Sequence, residues 1–225
     1  MSPASALVHL VILAKEPVPG QVKTRLCPPL SLPAAAAVAE AALADTLQAV
    51  LNTPAGARTL VLDGEPGRWL ADGFAVLPQR GHGLDERLAA GLSDAYALAR
   101  LPVLLIGMDT PQVTPELLSA GADALLAEGV DAVLGPAADG GYWALGLRKP
   151  DEGLVRGVPM STNRTGIEQL RRLWGNGLRV VTLPTLTDVD TIEDARRVAE
   201  AAPLSRFARA LGAVAGRPIR TPVAS

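Results

Sequence analysis

The chain has 225 residues, enough to bury a sizeable core within one domain. Its residues are 48% hydrophobic and 20% charged, which excludes an intrinsically disordered chain. A net charge of −2 and an aromatic content of 3% argue against nucleic acid, an anionic membrane or a base-stacking groove as partners.

The first apolar run, "LVHLVILA" (7–14), reads as a buried strand and is too short to span a bilayer. No lysine or arginine precedes it and a charged loop follows it, so a signal peptide is not expected. A helix is predicted over about 33–51, where Leu43, Leu47 and Val50 fall at helical spacing. Strands follow at 58–63 and 74–78, then a helix over 84–99 carrying Leu88, Leu92 and Ala95 in register. "LPVLLIG" (101–107) reads as a strand, and a helix begins at 114–118, where Thr114 can cap and Pro115 suits the first turn. "VDAVLGP" (130–136) is another strand, and "YWALGL" (142–147), after a Gly-Gly turn, is an additional strand of antiparallel sense. Helices over 163–175 and 191–200 flank a last strand at 178–184. The amphipathic stretch at 204–215 is expected to cover its own domain rather than dock a partner.

This alternation predicts an α/β three-layer sandwich around a mostly parallel sheet, with a single domain over 1–215 and a flexible tail at 216–225. Cys27 is the only cysteine, which excludes an internal disulfide and a cysteine-rich zinc site, and a reducing cytoplasm is the expected location. Oligomeric state leaves no mark on the sequence.

In such sheets ligands collect beyond the carboxyl ends of the strands, so the loops there are the candidates for chemistry. "AKEPVPGQVKTRL" (14–26) is stiffened by Pro17 and Pro19, opened by Gly20 and studded with Lys15, Lys23 and Arg25. It is neither a Walker A loop nor a dinucleotide fingerprint, and it reads either as a solvated basic loop or as a cradle for phosphates. Asp109, just past a buried strand, is either a turn residue or a ligand for a divalent cation. Asp139, Gly140 and Gly141 form a hairpin turn or a substrate-facing loop. Asp188 and Asp190 precede a helix whose Thr191 and Asp194 have capping-box spacing; capping explains one acid, not two. If that loop approaches Asp109, the carboxylates make a hard oxygen site suited to magnesium or manganese. His9, inside a strand, reads as structural, and His82 as either loop decoration or a substrate contact.

Five ordered motifs carry a family resemblance: "AKEPVPGQVKTRL", "IGMDTPQVTPELL" (106–118), "GPAADGGYWALGL" (135–147), "VPMSTNRT" (158–165) and "LPTLTDVDTIEDA" (183–195). Over about residues 7–200 the chain resembles the bacterial DUF2064 family of the glycosyltransferase-A, or nucleotide-diphospho-sugar transferase, fold. Residues 23–47 are similar to the start of 2-phospholactate guanylyltransferases, and "DVDTIEDA" to the closing motif of molybdenum-cofactor nucleotidyltransferases. The resemblance implies a nucleotide at the amino-terminal half of the sheet and Mg2+ or Mn2+ held by Asp109 and Asp190, with Asp188 beside them. It implies phosphate contacts from Lys15, Gly20, Lys23, Thr24 and Arg25, and a base or ribose near Gln79 and Gly81. Asp139, Gly140, Gly141, Ser161 and Thr162 would face the acceptor. Two departures stand out: Asp109 opens Asp-Thr-Pro in place of Asp-X-Asp, and Asp85 stands where relatives commonly have glycine.

The function so implied is transfer of a nucleoside monophosphate from a nucleoside triphosphate to a small anionic, phosphorylated acceptor. Glycosyl transfer from a nucleotide sugar is the alternative, and nucleotide binding without turnover a third.

Overall fold

A computed structural model describes residues 7–215 of the chain, so the tail expected at 216–225 lies outside the described residues. Seven strands form one sheet: β1 (His9–Lys15), β2 (Ala57–Asp63), β3 (Ala75–Pro78), β4 (Val103–Gly107), β5 (Ala132–Pro136), β6 (Tyr142–Leu147) and β7 (Val180–Thr182). Their order is β3-β2-β1-β4-β6-β5-β7. All neighbours run parallel except β6, which is antiparallel to both β4 and β5, as its position after the Gly-Gly turn predicts.

The strands lie centrally because both of their faces are apolar. Along β1, Leu10, Ile12 and Ala14 enter one core cluster while Val11 enters the other, the period of two dividing a continuous apolar run between the faces. On the first face lie α1 (Leu32–Asn52) and α3 (Pro115–Leu126); on the second lie α2 (Leu84–Ala99) and α4 (Thr165–Gly175). Each fully buried leucine or isoleucine there contributes about 1.5–3 kcal/mol of transfer free energy.

Helix α1 is long and apolar enough to cross a membrane, yet it is a core helix. Leu43, Leu47 and Val50 press on the sheet, while Ala35, Val38 and Ala42 meet a third cluster formed with α5 (Ile192–Ala201) and α6 (Arg206–Ala215). Phe207, Ala208 and Leu211 of α6 are buried in that cluster, so this amphipathic helix covers its own domain as expected. Asp45 on α1 accepts from the backbone N–H groups of Arg206 (3.1 Å) and Phe207 (2.8 Å), placing a carboxylate at the positive end of α6.

The helix starts follow side-chain chemistry. Ser31 and Thr114 accept from backbone N–H groups at the third helical position of α1 and α3, and Thr191 with Asp194 closes a full capping box on α5. Each such cap stabilises its helix by about 1 kcal/mol. Two short 3-10 turns, Thr24–Leu26 and Glu152–Leu154, are not signalled by periodicity.

His9 is fully buried, with Nδ1 3.0 Å from the Ala95 carbonyl and Nε2 2.7 Å from the Thr59 hydroxyl. This is the structural role expected for it; burial holds its pKa below the ordinary histidine value, and the Ala95 carbonyl pulls the other way.

Candidate active site

Above the carboxyl ends of β1 and β4 and the amino end of the reversed β6, reached also by the loop between β7 and α5, opens a cleft of about 810 Å³. Lys15, Lys23, Thr24, Arg25, Gln79, Asp109, Asp139, Gly141, Ser161, Thr162, Asp188 and Asp190 all line it. Gly20, Gly81 and Gly140 do not; each has a positive φ and shapes a turn behind the wall.

At the centre stands Lys23. Its side chain is only 8% exposed, and its ammonium lies 2.7 Å from Asp109 Oδ1 and 3.9 Å from Asp190 Oδ1. It also donates to the Val189 carbonyl. Arg25 Nη1 holds the other oxygen of Asp190 at 2.8 Å. Residues more than 160 positions apart meet here because two loops are stitched together: Val189 N–H donates to the Asp109 carbonyl (3.0 Å), and Gln112 Nε2 to the Thr187 carbonyl (2.7 Å). The second acid of "DVD" therefore turns to the cleft, while Val189 between them is buried in the cluster under α5.

Asp188 is the tense member. Its Oδ1 is sealed from solvent without a hydrogen-bond partner. Burial, followed by the negative charges of Asp109, Asp139 and Asp190 against the opposing pull of Lys23, pushes its pKa up to about 7. Among the described residues, no three His, Cys, Asp or Glu side chains gather as a ready-made metal cluster. The donor chemistry nonetheless fits a hard divalent cation: the acids are all carboxylates, and one buried oxygen lacks any partner.

Toward β2 and β3 lies a second group that the sequence reading does not single out. Asp63, the last residue of β2, is gripped by Arg87 Nη1 at 2.6 Å and approached by Lys15 at 3.7 Å. The Arg87 hydrogen bond is the main cause of a lowered Asp63 pKa. The strand-end rule would have found Asp63, and a basic residue in the first turn of α2, where acids are favoured, would have flagged Arg87. Gln79 lines the cleft with both ends of its amide engaged: Nε2 donates to the carbonyls of Ala14 (2.7 Å) and Val61 (3.3 Å), and Oε1 accepts from Arg87 (3.3 Å). Gln79 thus braces the strand ends on the side of the cleft where the resemblance implies a base or ribose.

The opposite wall is built from the β5–β6 hairpin and the segment before α4. Asp139 is both things the sequence allowed, a turn residue and a cleft residue: its Oδ1 accepts from Gly141 N–H at 2.8 Å. Gly140, at φ +92, packs so tightly that an added Cβ would lie 2.1 Å from the Asn163 carbonyl oxygen, and its own carbonyl accepts from Gly166 N–H at 2.8 Å. Ser161 has a positive φ at the rim, and Thr162 is held by Thr165. Asp85 resolves its departure from the family pattern: Oδ2 accepts from Gly157 N–H at 2.8 Å and ties the start of α2 to this wall. Tyr142 is held protonated by burial and the nearby Asp85 charge, with Met160 and Gln169 as its weak partners. Among the described residues, no lysine or arginine on this wall lines the cleft, so the expected anionic acceptor meets no cation there.

Residues 37–162 match a family model described as an uncharacterized protein conserved in bacteria, DUF2064. No curated protein matches the chain. Among solved structures, one from Desulfovibrio desulfuricans G20, described provisionally as a nucleotide-diphospho-sugar transferase, is 25% identical with a TM-score of 0.84 over 93% of this chain and 95% of that one. The Rv0371c protein of Mycobacterium tuberculosis H37Rv is 25% identical with a TM-score of 0.52, covering 87% of this chain and 99% of that one. The 2-C-methyl-D-erythritol 4-phosphate cytidylyltransferase of Thermus thermophilus shares the fold at 18% identity and a TM-score of 0.52, covering 87% and 98%.

Proposed function

The chain belongs to the DUF2064 family, and from that membership and the chemistry of the cleft we propose that it is a nucleotidyltransferase. It would move a nucleoside monophosphate from a nucleoside triphosphate to a small acceptor. The observation that carries this reading is the Lys23 ammonium, almost buried, held between Asp109 and Asp190 with Arg25 on the far side of Asp190.

Nucleotidyl transfer places growing negative charge on the phosphoryl oxygens and on departing pyrophosphate, so positioning and charge neutralisation do most of the catalysis. Lys15, Lys23 and Arg25 supply three cations at the mouth of the first loop. In the free protein each is neutralised by an acid, which keeps the loop ordered and the cations in place before the polyphosphate arrives. The incoming phosphates exchange those carboxylate partners for their own oxygens. Asp109 and Asp190, with Asp188 beside them, are then the residues that would hold Mg2+ or Mn2+. When bound, such a cation supplies Lewis-acid charge to the α-phosphate and a template for the acceptor. Arg87, braced by Asp63 and Gln79, fixes the β2–β3 side of the cleft where the nucleoside would lie.

Glycosyl transfer from a nucleotide sugar uses the same cations for a departing nucleoside diphosphate. The base it would use is the Asp139 carboxylate on the opposite wall, a group able to deprotonate an acceptor hydroxyl. The deciding experiment incubates the protein with a panel of nucleoside triphosphates and nucleotide sugars, with and without magnesium, and identifies the released product. Pyrophosphate supports nucleotidyl transfer and nucleoside diphosphate supports glycosyl transfer. Binding without either product, across acceptors, would reduce the site to a nucleotide sensor. Asp109→Asn is expected to abolish magnesium-dependent turnover; unchanged turnover would remove Asp109 from the site.

A further inference from the structure

We infer that the acceptor is an uncharged, hydroxyl-bearing molecule with an apolar side, rather than a phosphorylated one. This rests on the reading of the cleft as a nucleotide-dependent transferase site.

The cations of the cleft are unevenly placed. Lys15, Lys23, Arg25 and Arg87 line it, and all four are turned toward acids on the nucleotide side or at the centre. Across from them, the β5–β6 hairpin and residues 160–163 present Asp139, Ser161, Thr162 and Asn163: one negative charge and three neutral hydrogen-bonding groups. Beneath these lies an apolar floor. Leu88 and Leu105 belong to the buried cluster of that face, and Tyr142 and Met160 pack against it. Arg164, next in the chain after Asn163, pairs its guanidinium with Glu168 at 3.1 Å and does not line the cleft.

An acceptor phosphate placed on this wall would face the carboxylate of Asp139 with no cation of that wall to offset it. A hydroxyl meets the opposite situation. It can donate to Asp139 Oδ2, which has no protein partner among the described residues, while ring or chain carbons cover Leu88 and Met160. The wall is also rigid enough to discriminate. It is stitched by Gly166 N–H to the Gly140 carbonyl and by Gly157 N–H to Asp85, both at 2.8 Å.

The acceptor oxygen forms a bond to the α-phosphorus as its proton passes to Asp139. The bond from the α-phosphorus to the bridging oxygen breaks, and its electron pair leaves with pyrophosphate.

The test uses amide resonances of the full-length protein at pH 8. Inorganic tripolyphosphate with magnesium is added first, and shifts at Lys23 and Thr24 report the phosphate side. Glycerol and glycerol 3-phosphate are then titrated separately, read at Gly141, Ser161, Thr162 and Asn163. Glycerol is expected to perturb these amides with a half-saturation at least tenfold lower than glycerol 3-phosphate. Asp139→Asn, which keeps the Oδ1 acceptor for Gly141 N–H, should narrow that gap by improving the phosphate arm. Tighter binding of glycerol 3-phosphate at these amides, or no response to either probe, overturns the inference. Failure of tripolyphosphate to move Lys23 and Thr24 instead sinks the nucleotide reading, so the two failures are distinguishable.

Discussion

Replacing Lys23 with methionine separates the two roles that the central ammonium combines. Methionine keeps an unbranched apolar stem in the same space but removes the charge. In the wild type that charge sits 2.7 Å from Asp109 and 3.9 Å from Asp190. Breaking a buried pair by removing one partner costs about 3–5 kcal/mol. Here the lysine is buried while the two acids are 44% and 42% exposed, so water recovers part of the loss. A net destabilisation of roughly 2 kcal/mol is expected once that screening is allowed for. Phosphate recognition loses a charge-assisted hydrogen bond, worth about 1.5–3 kcal/mol, so tripolyphosphate affinity should fall about 10- to 150-fold. Magnesium or manganese alone should bind more tightly to Lys23→Met, because two carboxylates lose the ammonium that competes for them. Urea unfolding measures the first effect and calorimetric titration the other two. Unchanged tripolyphosphate affinity, or weakened binding of the free metal, would refute the account of Lys23 as a cation shared between acids and phosphates.

Buried His9, neutral in the fold, gives a pH signature. Its folded pKa lies below that of the unfolded chain, so its contribution is constant above about pH 6.5 and is lost as pH falls toward the folded value, with a slope of at most about 1.4 kcal/mol per pH unit. Asp188, with a pKa pushed up to about 7, acts with the opposite sign in that window, so the measurement is the difference between wild type and His9→Gln from about pH 8 to 5.5; a pH-independent difference would contradict the assignment. Gly140→Ala should destabilise by more than about 2 kcal/mol, since both its positive φ and the Asn163 carbonyl oppose a Cβ; a melting temperature within a degree of wild type would show that this wall yields. Asp85→Ala releases Gly157 and is expected to raise the acceptor KM several-fold while leaving tripolyphosphate affinity unchanged; a loss on the phosphate side would place Asp85 elsewhere in the mechanism.

The elements and their layering are legible in the linear order of residues. Continuous apolar runs as short as "LPVLLIG", bounded by proline and glycine, fit strands buried on both faces, and leucines at helical spacing over 84–99 mark α2. The Gly-Gly turn before Tyr142 announced the reversed strand, and the capping residues Thr114 and Thr191 marked helix starts because their chemistry acts within four residues. The strand-end rule likewise marked the loops of Lys23, Asp109 and Asp190 as candidates, since a parallel sheet delivers its loops to one edge; that the three side chains meet is decided by packing. How each side chain is already engaged emerges only from the packing. Gln79 looks free in the sequence and is consumed by Ala14, Val61 and Arg87; Asp85 looks like an irregularity and is a strut to Gly157. The lopsided charge of the cleft also has no linear signal, because its paired cations and acids come from distant segments, 167 positions apart for Lys23 and Asp190. Hydrogen-bond partners and charge neighbours depend on distances of a few ångströms between such segments, and those distances are fixed by packing, not by sequence spacing.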